Sequence, residues 1–380
     1  MTKKKTAIVL FNLGGPDKQS SVKPFLFNLF NDKAIISLPQ PFRFLLAKLI
    51  SGNREKTAQE IYAQIGGKSP IYEITKSQAE ALEKELSYGE GDFKTFIAMR
   101  YWKPFAKNAA EKIAKYQPDE IIFLPLYPQF STATSQSSFD DFESQLKKAG
   151  ISASINPSED QIAIKKVCCY FDDEEFILSH AKLIKKKLQE HEFRSPSEFR
   201  ILFSAHGLPQ KIIDAGDPYV FQVEATVTKV MEKLQELLEK NEVLGFKKAQ
   251  NDKSAVKNDE EIDFQTCYQS KVGPLKWTTP SLGDEITRVA KDGKTPVITP
   301  IAFVSEHSET LVELDIEYKE LAEKLGVKKY VRVEALNIDG HFIKSLTKIC
   351  RSVSSQNPGF YVGCKKGRAC PKEFGKCPQQ

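Results

Sequence analysis

What most constrains this chain is a succession of short, apolar, β-branched runs. Each is closed by Gly, Pro or polar turn residues and separated from the next by a longer amphipathic stretch. The runs lie at 6–12, 95–100, 120–126, 164–170, 199–204, 264–268, 296–303 and 330–336. They are apolar throughout rather than alternating, which suits strands buried on both faces of a parallel sheet. Helical spacing fills the gaps at 77–86, 107–116, 173–188, 220–240 and 310–325. In the last of these, Leu311, Leu314, Tyr318, Leu321 and Leu325 form one stripe. Strand–helix alternation predicts an α/β fold with doubly wound parallel sheets. The runs fall into two groups of about four, parted near residue 170. That predicts two similar, Rossmann-like halves, 1–170 and 171–345, followed by a tail, 346–380. No internal sequence repeat accompanies them.

Composition narrows the partners. With 41% hydrophobic and 28% charged residues the chain can bury a core and stay soluble, which excludes wholesale disorder. Basic and acidic residues number 55 and 50, for a net charge of +5. That near-balance predicts no nucleic-acid partner, since such a partner calls for a concentrated basic face. No run approaches the ~18 apolar residues of a membrane-spanning helix. The basic start, Met1 to Lys5, leads into an apolar run too short for a signal peptide. Seven cysteines in 380 residues are too few for a disulfide scaffold. The chain therefore reads as cytosolic. Residues 246–263 are rich in Lys, Asn and Asp and read as a solvated loop. The tail from Ser352 shows no periodicity.

Five histidines make a short search. His180 and His191 sit in a charged amphipathic stretch and read as solvated, and His341 follows the turn signal Asp339-Gly340. His206 and His307 differ: each closely follows a buried run, at the carboxyl end where open α/β sheets bind ligands. Around His307, Glu306, Glu309 and Glu313 have helical three- and four-residue spacing and can share one face. Carboxylates at a helix start also complement its dipole. Imidazole and carboxylate together suit a borderline divalent metal such as ferrous iron, and also suit proton abstraction. The glycines of Asn12-Leu13-Gly14-Gly15-Pro16 lack the G-x-G-x-x-G spacing of a dinucleotide loop. They read instead as a tight turn that brings backbone close to a flat ligand.

These segments resemble the ferrochelatase family. Ser204-Ala205-His206-Gly207-Leu208-Pro209 is similar to its catalytic-histidine signature. The stretch from Ser305-Glu306-His307-Ser308-Glu309 through Glu313 to Asp315 is similar to its acidic motif. Tyr268-Gln269-Ser270-Lys271-Val272-Gly273-Pro274 and Trp277 match the segment between. The Asn12–Pro16 turn, Met99-Arg100-Tyr101 and the segment from Pro125 through Tyr127 to Ser131 match the first half. The matches run in order from residue 6 to about 345 and are most like alphaproteobacterial members. The resemblance implies two Rossmann-like domains with a porphyrin cleft between them. The implied reaction is insertion of Fe²⁺ into protoporphyrin IX, the last step of protoheme synthesis.

Carried over, His206 and Glu309 are the catalytic pair, handling metal and protons. His307, Glu306 and Glu313 continue the metal path. Leu13, Arg100, Tyr101, Tyr127, Tyr268 and Trp277 would line the porphyrin. Leu13 stands where some members have Met, and Tyr268 where some have Trp. Arg100 can meet a propionate or form an ion pair. Rival readings are a chelatase for Co²⁺ or Ni²⁺ and a non-catalytic heme or porphyrin carrier. A carrier needs one axial ligand and no acid cluster. Either a monomer or a homodimer fits.

Two further segments carry expectations. Residues 24–51 are unusually apolar. They read either as helices packed on the core or as an apolar lip that admits a porphyrin and touches the inner membrane from its cytoplasmic side. The tail cysteines Cys364, Cys370 and Cys377 have the resemblance of a [2Fe–2S] ligand set, with Cys168 or Cys169 as the fourth thiolate. Their spacing is wider than the family pattern, and free thiols are the favoured expectation.

Overall fold

In the computed structural model, which describes residues 3–240 and 261–379, the apolar runs become strands of two sheets. The first half runs β1 (Lys5–Asn12), α1 (Val22–Phe30), α2 (Phe42–Ala63), α3 (Ile71–Ser87), β2 (Asp92–Met99), α4 (Ala106–Tyr116), β3 (Glu120–Pro125), α5 (Ser137–Lys148), β4 (Ala153–Ser154) and β5 (Ile162–Cys169). The second runs α6 (Glu174–Glu190), β6 (Phe199–His206), α7 (Gln210–Asp214), α8 (Tyr219–Glu239), β7 (Phe264–Gln269), α9 (Leu282–Lys291) and β8 (Thr295–Pro300). A π-helix, Glu309–Glu317, then passes directly into α10 (Tyr318–Lys324). After β9 (Val331–Arg332) and α11 (Gly340–Ser354) come two last strands, β10 (Gly359–Val362) and β11 (Lys365–Lys366).

Among the described residues the first sheet has the order β11-β10-β5-β3-β1-β2, with β4 beside β5. The second has the order β7-β6-β8-β9 and is parallel throughout. The opening strand of each half, β1 or β6, is flanked by its second strand on one side and its third on the other. Each sheet therefore reverses direction beside its opening strand, and the carboxyl ends there form the crevice where such sheets take ligands. Residues Ala7 to Leu10 of β1 are wholly buried, as their unbroken apolar run predicts. Phe11, Phe123, Phe139 and Phe142 pack edge to face beneath them.

The tail holds strands that its sequence does not signal: β10 pairs in parallel with β5, and β11 turns back on β10. Nor is α11 free. Its N-cap Asp339 accepts a bond from Ser179 of α6 at 2.5 Å, and Asp173, the N-cap of α6, accepts one from Ser345 of α11 at 2.6 Å. Each cap is worth about 1 kcal/mol, and here each also braces the neighbouring helix. The wholly buried Glu120 adds a further tie, pairing with Lys165 of β5 at 2.7 Å and accepting a bond from Ser354. A four-residue strand has no periodicity to read, because its formation depends on a partner about 190 residues away.

His180 also differs. It is buried rather than solvated, stacked edge-on against Phe176 at 4.9 Å, with neither ring nitrogen hydrogen-bonded. The cause is that α6 is covered on two sides, by α8 and α11. Burial pushes its imidazole down to about 3. His191 is half-buried at the end of α6. The expected solvated loop at 246–263 lies outside the described residues up to 260. Beyond it, Asp263 pairs with Arg200 and Lys294. The expected α-helix 310–325 is π-helical over its first part. Thr310, Val312 and Leu314 are buried there, while Leu325 of the expected stripe is exposed.

Candidate functional site

His206 is the last residue of β6, and the chain breaks there because Gly207 must fit a narrow gap. A Cβ at Gly207 would lie 3.1 Å from both the Gln269 carbonyl and the Trp277 ring. The Gly207 amide donates to that Gln269 carbonyl at 2.9 Å, and the Tyr219 hydroxyl donates to the His206 carbonyl at 3.1 Å. The imidazole Nδ1 lies 2.6 Å from the Gly207 carbonyl oxygen. A carbonyl only accepts, so Nδ1 carries a proton, and Nε2 is the nitrogen left to face Glu309. The His206 side chain is 35% exposed, and its Nε2 stands 3.7 Å from Oε2 of Glu309.

His307 follows β8 and repeats this arrangement from the other side. Its Nδ1 lies 3.0 Å from the Ser305 carbonyl, and its Nε2 stands 3.7 Å from the same Glu309 oxygen. That oxygen is buried and has no hydrogen-bond partner. Thus one carboxylate oxygen faces the Nε2 atoms of two imidazoles, each ring anchored at Nδ1 by a backbone carbonyl. Burial pushes Glu309 up, but His206 and His307 outweigh it and hold the carboxyl at about 2. Burial pulls His307 down, and Glu309, with help from Ser305 and Glu306, leaves it above the usual imidazole value. Glu313, one turn along the π-helix, is raised to about 7 by burial and by the Glu309 charge. Ser270 donates to it at 2.8 Å and Gln269 at 3.2 Å. Among the described residues no three His, Cys, Asp or Glu side chains are grouped as a metal cage.

Glu306 does not join this group. Its Oε1 accepts bonds from Arg332 and from the Ala335 amide, and Arg332 also grips Asp315 through two nitrogens, at 2.6 and 2.7 Å. The helical spacing of Glu306 put it beside Glu309. The chain is not yet helical at that point, so Oε1 turns to the half-buried Arg332, while Oε2 is buried without a hydrogen-bond partner.

The expected porphyrin residues divide. Trp277 lies beside the His206 ring at 6.3 Å between centroids. Leu13 is half-buried after β1, in a turn that needs glycine. Gly14 has φ +81°, and a Cβ on Gly15 would lie 2.5 Å from Ser69. Tyr127 is half-buried after β3. Arg100 is committed inward, to Asp32 at 2.8 Å, Asp141 at 3.4 Å and Ser137 at 2.8 Å. Tyr101 is buried and donates to Asp32 at 2.8 Å. Tyr268 faces the core rather than the His206 side: the strand alternation that points Gln269 one way points Tyr268 the other. Two neighbours escaped the sequence reading. Phe303 stacks on His307 at 4.8 Å and lies 6.4 Å from His206. Tyr62, at the end of α2, accepts a bond from Ser308 at 3.3 Å. Burial pushes its hydroxyl up to about 12.

The lip divides too. Phe25, Leu26 and Phe30 of α1 are buried, but Phe42, Leu45 and Leu49 of α2 are 64%, 60% and 59% exposed, and Phe44 is also exposed. Among the described residues no helix is long and apolar enough to cross a membrane. The cysteines regroup. Buried Cys168 and Cys169, with sulfurs 3.5 Å apart at the end of β5, share a nest with Cys370 and Cys377. Gln222 donates to the Cys370 sulfur at 3.1 Å. Cys364 instead lies by Cys350 and Ser352.

Residues 5–353 match the family model described as Ferrochelatase. The chain belongs to the ferrochelatase family. A ferrochelatase of Rickettsia bellii is 48% identical over 99% of this chain and 96% of its own. One from a Wolbachia of Drosophila simulans is 47% identical over 91% and 98%, and one from Pelagibacter ubique 44% over 98% of each. Among solved structures, SirB from Bacillus subtilis, solved with Fe³⁺, superposes with a TM-score of 0.50 at 13% identity, covering 93% of this chain and 96% of its own. That likeness shows a shared α/β fold. As a ferrochelatase the chain is a metal chelatase of heme biosynthesis, with a porphyrin and ferrous iron as substrates.

Proposed function

We propose that His206, Glu309, His307 and Glu313 are the groups that insert Fe²⁺ into protoporphyrin IX, between halves that meet near residue 170. The observation that carries this reading is the buried, unpartnered Glu309 oxygen, 3.7 Å from each of two imidazole nitrogens. Protoporphyrin IX must lose two pyrrole protons as the metal enters. His206, the more exposed imidazole, accepts a proton at Nε2 while the Gly207 carbonyl holds the ring. Glu309, ionised at any cellular pH, draws the ferrous ion in and replaces part of its hydration. Glu313, titrating at about 7, takes up and releases protons near neutrality. Glu306 stays with Arg332 and outside this path. Trp277, Phe303 and Leu13 offer the flat apolar contact. Anaerobic conversion of protoporphyrin and Fe²⁺ to heme by purified protein tests the reading, and its absence refutes it.

Two finer assignments belong here. The exposed Phe42, Phe44, Leu45 and Leu49 make one end of α2 a greasy lip for peripheral membrane contact and porphyrin entry. The four thiols of the nest are of the ligand type an iron–sulfur cluster takes, although among the described residues they are not grouped as a metal cage. Cys168, Cys169, Cys370 and Cys377 would hold a [2Fe–2S] group, and Cys364 would not. When bound, the group would supply a one-electron couple and a crosslink between β5 and the tail.

A further inference from the structure

Gln269 is the last residue of β7, in register with His206 on β6. Its side chain is 2% exposed, and its amide is fully occupied. Oε1 accepts the Ser204 hydroxyl at 2.6 Å, two residues before His206 on the same strand. Nε2 donates to the Glu309 carbonyl at 2.8 Å and to a Glu313 carboxylate oxygen at 3.2 Å. The Gln269 backbone carbonyl accepts the Gly207 amide at 2.9 Å. A single residue therefore joins the strand end that carries His206 to the first turn of the π-helix that carries Glu309. The next residue supports this. Ser270 is a non-glycine residue at φ +63°, a conformation that costs energy and collects at functional sites. That turn aims its hydroxyl at both Glu313 oxygens, at 2.8 and 3.0 Å.

We propose that Gln269 is a positioning residue for metal insertion: its amide sets the spacing of His206, Glu309 and Glu313. Asn carries the same amide on a stem one methylene shorter, which cannot reach both partners at these distances. Leu lacks both, and Glu keeps the acceptor for Ser204 but turns the donor into a carboxylate oxygen facing the Glu309 carbonyl and Glu313. The inference rests on the assignment of Glu309 and Glu313 to the metal.

The test uses full-length Gln269→Glu and Gln269→Leu, with Gln269→Met as the variant of similar length if either fails to fold. The probes are Co²⁺ binding, followed by its visible absorption, steady-state insertion, and porphyrin affinity by fluorescence quenching. Removing a group that orients ligating side chains costs about ten- to a hundredfold in metal affinity or activity. The expected result is a loss of that size in Co²⁺ affinity and in kcat/KM for metal, with porphyrin affinity unchanged. Folded variants with wild-type Co²⁺ affinity and metal KM, changed only in melting temperature, overturn the proposal. So does an equal loss of porphyrin affinity, which would mark a general collapse of the cleft. If the wild-type protein itself inserts no metal, the activity assignment fails, and Co²⁺ binding still judges Gln269.

Discussion

Glu306 separates two accounts of the acidic motif. Its spacing places it in a chain of carboxylates leading to the metal, whereas the structure gives it to Arg332. In Glu306→Gln the Ala335 amide keeps an acceptor, while the half-buried Arg332 loses one of its two carboxylates. A hydrogen bond to a charged group contributes about 1.5–3 kcal/mol. Breaking a buried ion pair costs about 3–5 kcal/mol when the remaining charge has no other partner. Arg332 still holds Asp315 through two nitrogens, so the lower range applies. The expected loss is about 2 kcal/mol, with Glu306→Ala costing more because the Ala335 amide is then stranded as well. Urea unfolding followed by circular dichroism measures it, and metal KM at 20 °C should stay within about twofold of wild type, because Glu306 only adds to the larger influence of Glu309 on His307. A Glu306→Gln protein of normal stability with a much higher metal KM would return Glu306 to the metal path and refute this account.

His206→Ala should abolish insertion and leave the fold intact, read by turnover and circular dichroism. Glu309→Gln should lower kcat strongly and porphyrin affinity little, since the amide keeps the shape but loses charge and basicity; weakened porphyrin affinity alone, with normal kcat, would remove Glu309 from the chemistry. Phe44→Ser with Leu45→Ser should weaken vesicle binding, with only a modest drop in melting temperature from the lost edge contact of Phe44 with Phe27; a lower melting temperature with unchanged vesicle binding counts against the lip. Cys370→Ser should bleach reddish-brown protein prepared anaerobically with iron, and Cys364→Ser should not; colourless wild-type protein with all its thiols titratable would leave the nest metal-free. His180, held at about 3 against a usual 6.5, adds an acid sensitivity: stability is full above pH 6.5 and falls as pH drops toward 3, by up to roughly 4–5 kcal/mol at ~1.4 kcal/mol per unit. His180→Phe should flatten that part of the pH–stability curve.

The legible parts of this molecule are those written in local pattern. β1, β3 and β6 are largely apolar because both faces of each are covered. His206 and His307 could be singled out because strand ends in such sheets are where side chains meet ligands. Arg100, Tyr101, Tyr268 and Glu306 could not be placed the same way. Each sits at a strand end or in a motif next to the site, but its direction is decided by a partner distant in sequence: Asp32 for the first two, the core face of β7 for Tyr268 and Arg332 for Glu306. A charged or aromatic residue near a cleft is drawn toward whichever partner satisfies it best, and motif spacing says nothing of partners 25 to 70 residues away.

The tail shows the same physics at the scale of whole elements. Four residues, Gly359 to Val362, make a strand only because β5 presents an open edge to them. Once β10 is docked there, the chain beyond it is carried back past the end of β5, where Cys168 and Cys169 sit. Lys376 then donates its amide to Gly216, and Phe374 stacks on Phe221 of α8 at 5.2 Å. Two residues before Phe221, Tyr219 holds the carbonyl of His206. The thiol nest and the strand end that carries His206 thus both brace the first turn of α8. Nothing in the composition of the tail, polar and rich in glycine and lysine, signals that connection. It exists because the edge of one sheet was left open for a strand from the other end of the chain.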